Sequence, residues 1–339
     1  MTWLTWRQLR AQATAVYAAV LALAVVLAVT GPRLTRLGQG QVSLFDQLTR
    51  SDRNLYYAGI VVLALAPAVI GAFWGAPLVA RELEAGTHRL AWNQSITRTR
   101  WLATKLVLTL LCAAIAVGVL SLAVTWWSAP LDGATGSQRG SLPSRLTPIA
   151  FSMRDLVPVA YTVFAVSLGT ALGVLLRRAL PAMALTLAVT AFVQIAVPLW
   201  VRPHLLPPTS QLVVLGRDTL DSIMADDTGT PVRIGVRPAH RGDWVLSQQT
   251  VDSAGRAVAL PSWFNSCVAP PPPVGVASQR SEADMSGCFS RLTAEGYQQH
   301  VVYQPVSRFW PLQWAETALL LVLSALLAVF TFRWTRRLS

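Results

Sequence analysis

The chain has 339 residues, 53% of them hydrophobic and only 13% charged, about half the charged fraction near 25% of a soluble domain. That deficit excludes an ordinary soluble protein and points to a membrane one. The formal charge of +12 comes from 27 arginines and one lysine, but these flank apolar runs instead of clustering on a folded surface, so nucleic acid is not expected as a partner.

Six runs approach the roughly 20 apolar residues a membrane-crossing helix needs: Ala13–Val29, Leu55–Val79, Trp101–Trp127, Leu156–Leu176, Ala179–Trp200 and Leu312–Phe332. The first follows Arg7 and Arg10 as a secretory signal would. It is too long for a signal core, however, and Gly31-Pro32-Arg33 replaces a small-residue cleavage site, so we read it as a retained span. If Thr2–Arg10 is helical, Trp3, Trp6, Arg7 and Arg10 share one side. The second and third runs enclose the polar stretch 79–101. The fourth carries Gly169-x-x-x-Gly173, which permits close helix approach, expected here against span five. Spans four and five form a tight hairpin through Arg177–Pro181. On span five, Thr186, Thr190 and Gln194 stand at i, i+4 and i+8 and share a face; they are interhelical glue or the lining of a substrate path.

Segments 1–12, 80–105, 177–180 and 333–339 hold 12 basic and 2 acidic residues, against 16 and 14 in the rest of the chain. This asymmetry places those segments, and both termini, in the cytoplasm of a multi-pass cell-membrane protein. Trp126, Trp127, Trp200, Trp310 and Trp314 then form an outer belt, with Trp3, Trp6, Trp101 and Trp334 near the inner interface. The fold expected is all-α in the membrane. Residues 1–200 hold five spans and a cytoplasmic loop at 80–100, and 312–339 hold the sixth span and tail.

Between them, residues 201–311 are too long and polar for a simple loop and read as a small mixed α/β extracytoplasmic domain. Asp243–Gln249 and Arg256–Leu260 flank a turn at Asp252–Gly255 and read as a hairpin. Ser281–Glu295 reads as a helix stopped by Gly296, and Pro270–Pro273 as a stiff spacer. Cys267 and Cys288 lie in a disulfide-permissive compartment and are expected to be bridged; Cys112 lies within span three.

Catalytic signatures are missing. There is no P-loop, no H-E-x-x-H and no nucleophile elbow, and His88, His204, His240 and His300 are scattered. No span has an acid or base at its centre, and Glu316 falls near the outer end of span six, where water should reach it. We expect no enzyme, no metal and no cofactor in this chain.

The stretch Val79–Trp101 carries its own instructions. Span two can continue as helix through Glu82 and Glu84, Gly86 can end it in a left-handed conformation, and Thr87 can cap a short helix, His88–Gln94. Ser95 or Thr97 can then cap span three. Leu90 and Trp92 supply apolar knobs, and His88, Arg89, Asn93 and Gln94 polar contacts, which together make a docking element.

Arg81–Thr87, then Leu90, then Ser95-Ile96-Thr97-Arg98 resemble the motif between spans two and three in permease subunits of type-2 ABC exporters, with Ser95 where proline is usual. The six-span layout is similar too, and Tyr303–Trp310 resembles the approach to the last span in actinobacterial permeases. The resemblance implies that the short helix is a coupling helix seated on a separate ABC ATPase subunit, with the Glu82/Glu84 region touching that subunit. It also implies an interfacial helix ahead of span one, a second permease subunit in a homo- or heterodimer, and ATP-Mg bound by the ATPase alone. Thr186, Thr190 and Gln194 would line the path. A membrane-embedded sensor or immunity protein with a ligand-binding outer domain is the alternative.

Overall fold

A computed structural model describes residues 2–38, 48–87, 97–134, 144–225, 231–237, 240, 242–267 and 282–337. Six helices are long and apolar enough to cross a membrane: Gln12–Leu37, Arg50–Glu84, Arg98–Asp132, Val157–Leu176, Ala179–Leu205 and Val306–Arg336. We number them spans one to six. Chain contacts divide the molecule into a unit of residues 1–206 with 309–339 and a second unit, Pro207–Arg308.

Several spans extend beyond their apolar runs, because polar residues can join a helix that is properly capped. Span two begins at Arg50, not Leu55. Thr49 and Asp52 form a reciprocal capping box, the Asp52 N–H donating to Thr49 Oγ1 and the Thr49 N–H to Asp52 Oδ2, which satisfies two otherwise unpaired donors. Arg33 on span one lies 3.6 Å from the same carboxylate. The helix containing span one runs unbroken from Thr2 to Gly38. Among the described residues no break sets residues 2–11 apart from span one as an interfacial helix, since nothing between Thr2 and Ala13 is a glycine or proline that would interrupt the run.

Span two is interrupted by a π-helical turn, Gly71–Gly75, four residues after Pro67. Its glycines face span four. A Cβ on Gly71 would lie 2.6 Å from Ala165 Cβ, one on Gly75 2.7 Å from the Val166 carbonyl oxygen, and one on Gly169 2.5 Å from the Gly71 oxygen. The Gly169–Gly173 motif therefore packs against span two and not against span five. Its complement is a second G-x-x-x-G, Gly71–Gly75, and two such surfaces admit a backbone-to-backbone contact that the side chains of span five do not. Thr170 donates to the Gly75 carbonyl across this contact at 3.3 Å.

Spans one and three are joined through Tyr17, whose hydroxyl donates to the Cys112 carbonyl at 2.8 Å, and Trp127, whose indole N–H donates to Thr30 at 2.9 Å. Trp127 is thus buried inside the unit and does not belong to a belt. Trp126, Trp200, Trp310 and Trp314 are exposed, as lipid-interface residues would be. Trp101 is buried as well, under Lys105.

The second unit has two small sheets. β1 (Thr209–Val214), β5 (Gln298–Gln304) and β4 (Trp244–Val251) form an antiparallel sheet in the order β1-β5-β4. β2 (Leu220–Ala225) pairs with β3 (Pro231–Val236). The helix Glu282–Ala294 packs Phe289 and Leu292 into a core with Ile234, Phe264, Val301 and Tyr303, and Gly296 follows it at φ +83°. The hairpin expected at 243–260 is only partly formed. Residues after the Asp252–Gly255 turn make a single bridge, Val251 to Ala257, and β4 takes β5 as its partner instead. Asp252 absorbs the turn's donors, accepting from the Ala254 and Arg256 backbone and from the Arg256 guanidinium; these contacts, the Arg256 backbone N–H foremost, hold its carboxyl below the usual range. Cys267 and Cys288 are joined by a disulfide, Cα atoms 6.3 Å apart. Pro270–Pro273 and Ser281 lie outside the described residues.

Candidate functional site

Spans two to five bring one set of termini together at a basic end, where Glu84, Arg98, Arg177 and Arg178 are found. Span two leaves its π turn through Pro77–Glu84. Arg81 and Leu83 carbonyls accept the Ala85 and Gly86 N–H groups, and Gly86 then turns left-handed at φ +70°, a conformation glycine takes without a steric penalty. Thr87 Oγ1 reaches back to the Glu82 carbonyl, at 3.5 Å. On the other side, Thr97 accepts the Arg100 N–H at the start of span three, and so acts as its cap. His88, Arg89, Leu90, Trp92, Asn93 and Gln94, with Ser95, lie outside the described residues.

The two glutamates have different partners. Glu82 forms an ion pair with Lys105 on span three, the lysine buried and the acid half-buried. The ammonium also stands 4.9 Å from the centre of the Trp101 ring, in cation–π range. This junction sits on an apolar cluster of Val79, Trp101, Leu102 and Val174, contributed by spans two, three and four. Glu84 instead accepts the backbone N–H of Ala179 at 3.1 Å. Ala179 opens span five, and its predecessor Arg178 makes no side-chain cap bond. The Glu84 carboxylate therefore supplies the missing acceptor and places a negative charge at the positive end of the helix dipole. The acids that stood out in the sequence thus fasten span two to spans three and five.

Thr186, Thr190 and Gln194 do share a face, and it is turned into the unit. Thr186 donates to its own helix at Ala182, Thr190 is fully buried with no hydroxyl partner among the described residues, and Gln194 donates to the Ala64 carbonyl of span two at 2.9 Å.

A polar cluster at the opposite end was not anticipated. Span five passes through a second π turn, Val197–Val201. A π turn takes up about one extra residue, rotating the side chains beyond it by roughly 100°. Trp200 stays exposed while Arg202 is fully buried. Its guanidinium forms two bonds to Glu316 of span six, at 2.6 and 3.0 Å, and donates to Ser152 and the Pro148 carbonyl of the short helix Pro148–Ser152. Tyr161 of span four donates to Glu316 at 3.0 Å. Glu316 was expected to be wetted; it is fully buried because Arg202, read as part of the extracytoplasmic domain, lies inside the helix. Beside this cluster, Arg154 takes both oxygens of Asp132 at 2.7 Å and reaches the Tyr56 hydroxyl at 3.3 Å. Gln313 accepts the Val157 N–H and donates to the Phe151 and Arg154 carbonyls. Asp155, next in the chain, takes a left-handed φ of 57°; burial pushes its carboxyl up, against the pull of Arg154 and Arg145.

Six apolar helices, two of them packed along a glycine seam, with ion pairs at both ends, define a multi-pass membrane protein. The family model described as ABC-2 membrane transporter related matches residues 12–202. The chain belongs to that family and is a transporter membrane subunit, a class whose membership implies partnership with an ABC ATPase subunit. No curated protein and no solved structure matches it.

Proposed function

We propose that this chain is the permease of an exporter, driven by a separate ATPase that seats on the segment between spans two and three, with the basic end and both termini in the cytoplasm. The observation that carries the reading is the attachment of that segment. Its entry is a helix stopped at Gly86 and its exit a helix capped by Thr97, and Glu82 and Glu84 tie the entry to spans three and five. A push on residues 85–97 therefore reaches three spans at once. ATP-Mg belongs to the partner, and a second permease subunit completes the pathway. The protein itself performs no covalent chemistry. Thr186, Thr190 and Gln194 come within reach of the path only as spans two and five separate.

The test is to replace residues 88–94 by a glycine-serine linker of equal length and to recover the co-expressed P-loop ATPase by affinity purification. Membrane insertion should be normal and the ATPase lost. Full recovery of the ATPase by the linker variant would remove the coupling assignment and favour a sensor that works without an ATPase.

A further inference from the structure

The turn between spans four and five consists of two residues, Arg177 and Arg178, between Leu176 and Ala179. Span four has 20 residues, and a helix of that length covers the hydrocarbon core, about 30 Å, with nothing to spare. The turn has no slack with which to rise from the membrane surface. Both arginines are exposed, and neither guanidinium has a hydrogen-bond or ion-pair partner among the described residues. Leu175, Leu176 and Leu180 around them are 43%, 37% and 79% exposed. Arg177 sits at φ 54°, a left-handed position where glycine would avoid the steric cost. Arg81, also exposed, stands one turn before Glu84 and so on a neighbouring part of its helix face. Glu84 is engaged by the Ala179 N–H and Glu82 by Lys105.

We propose that this turn binds the headgroup of an anionic phospholipid. Arg177 and Arg178 hold the phosphate, Arg81 adds positive charge, and the three leucines enter the acyl-chain boundary. Exposed guanidinium groups flanked by exposed leucines fit a lipid, which is charged and apolar within a few ångströms. An acidic protein surface would neutralise the arginines but offer nothing to Leu180. The inference rests only on the chain spanning a membrane and is independent of the ATPase assignment.

Full-length protein in detergent is offered phosphatidylglycerol and phosphatidylcholine in equal amounts, and retained lipid is read by native mass spectrometry. We expect preferential retention of phosphatidylglycerol, falling about five-fold for each arginine removed in Arg177→Gln and Arg178→Gln, with phosphatidylcholine unchanged. Arg177→Gly guards against misfolding as an explanation. It should keep or raise the thermal midpoint, because glycine suits the left-handed backbone, and still lose phosphatidylglycerol. Equal retention of both lipids, or retention indifferent to the substitutions, overturns the proposal. Displacement of the lipid by inorganic phosphate would reduce the site to a free-anion site and overturns it too. So would loss of ATPase recovery in the arginine variants with lipid retention intact, which would assign the turn to a protein partner.

Discussion

The two ends of the spans handle charge in opposite ways. At the basic end the acids stay closer to solvent, Glu82 half-buried on Lys105 and Glu84 on the Ala179 backbone N–H, while Arg177 and Arg178 take no partner among the described residues. At the other end Arg202 and Glu316 are both withdrawn from solvent, and Ser152, Tyr161 and the Pro148 carbonyl use their remaining hydrogen-bonding capacity. A buried pair of this kind contributes little net stability over apolar residues, yet leaves a large penalty when one member is lost. It therefore specifies one arrangement of spans four, five and six. Contacts nearer solvent can be exchanged at lower cost, which suits the end proposed to receive the ATPase.

Removing one member of each pair sharpens this contrast. Arg202→Met leaves Glu316 buried and unpaired and should cost about 3–5 kcal/mol, most of it recovered in Arg202→Met/Glu316→Leu. Detergent-based unfolding of the purified protein measures both; equal losses in the single and double variants would show that the two residues are not coupled. Lys105→Met should cost less, about 1–3 kcal/mol, because the half-buried Glu82 can recruit water. Were it to match Arg202→Met, the difference between the ends would vanish. Glu84→Gln keeps a side-chain oxygen for Ala179 and loses only the charge at the helix terminus, so a change of about 0.3–1 kcal/mol is expected.

The smallest effect concerns Asp155, and its sign follows from burial. A carboxyl pushed up in the folded state makes the ionised form a liability above that raised pKa, and the liability fades as pH falls through it. Asp155→Asn should therefore unfold at a slightly higher temperature near neutrality, helped by the tolerance of asparagine for φ near +57°. The advantage should disappear in acid. An advantage that persists unchanged at low pH would trace to the backbone alone.

The six spans were legible because each is a long apolar run, and so was the stop at Gly86, because only glycine takes that turn freely. Span ends were less so: Arg50–Asn54 lie outside the apolar run that begins at Leu55, yet the Thr49–Asp52 box makes them helix. Glu82 and Glu84 drew attention as acids in a basic segment, but their partners, Lys105 and the Ala179 N–H, lie 23 and 95 residues away. The isolated lysine among arginines was the available signal for the first; a backbone N–H gives none. Arg202 and Glu316 were hidden for a further reason. They are 114 residues apart, and only the phase change at Val197–Val201 turns Arg202 inward. The pairing of Gly169–Gly173 was misdirected to the neighbouring span because sequence proximity stood in for contact.

The glycine seam between spans two and four has a mechanical consequence. With backbone against backbone from Gly71 to Ala76, there is no layer of side chains to re-sort, and rotation or sliding of one span past the other meets main-chain atoms at once. Spans two and four must travel as a single lever. Its handle is the Pro77–Glu84 extension at the basic end, and its bearings are the side-chain interfaces with spans three, five and six. A covalent tie between spans two and four should leave transport intact, whereas the same tie placed across one of those bearings should stop it.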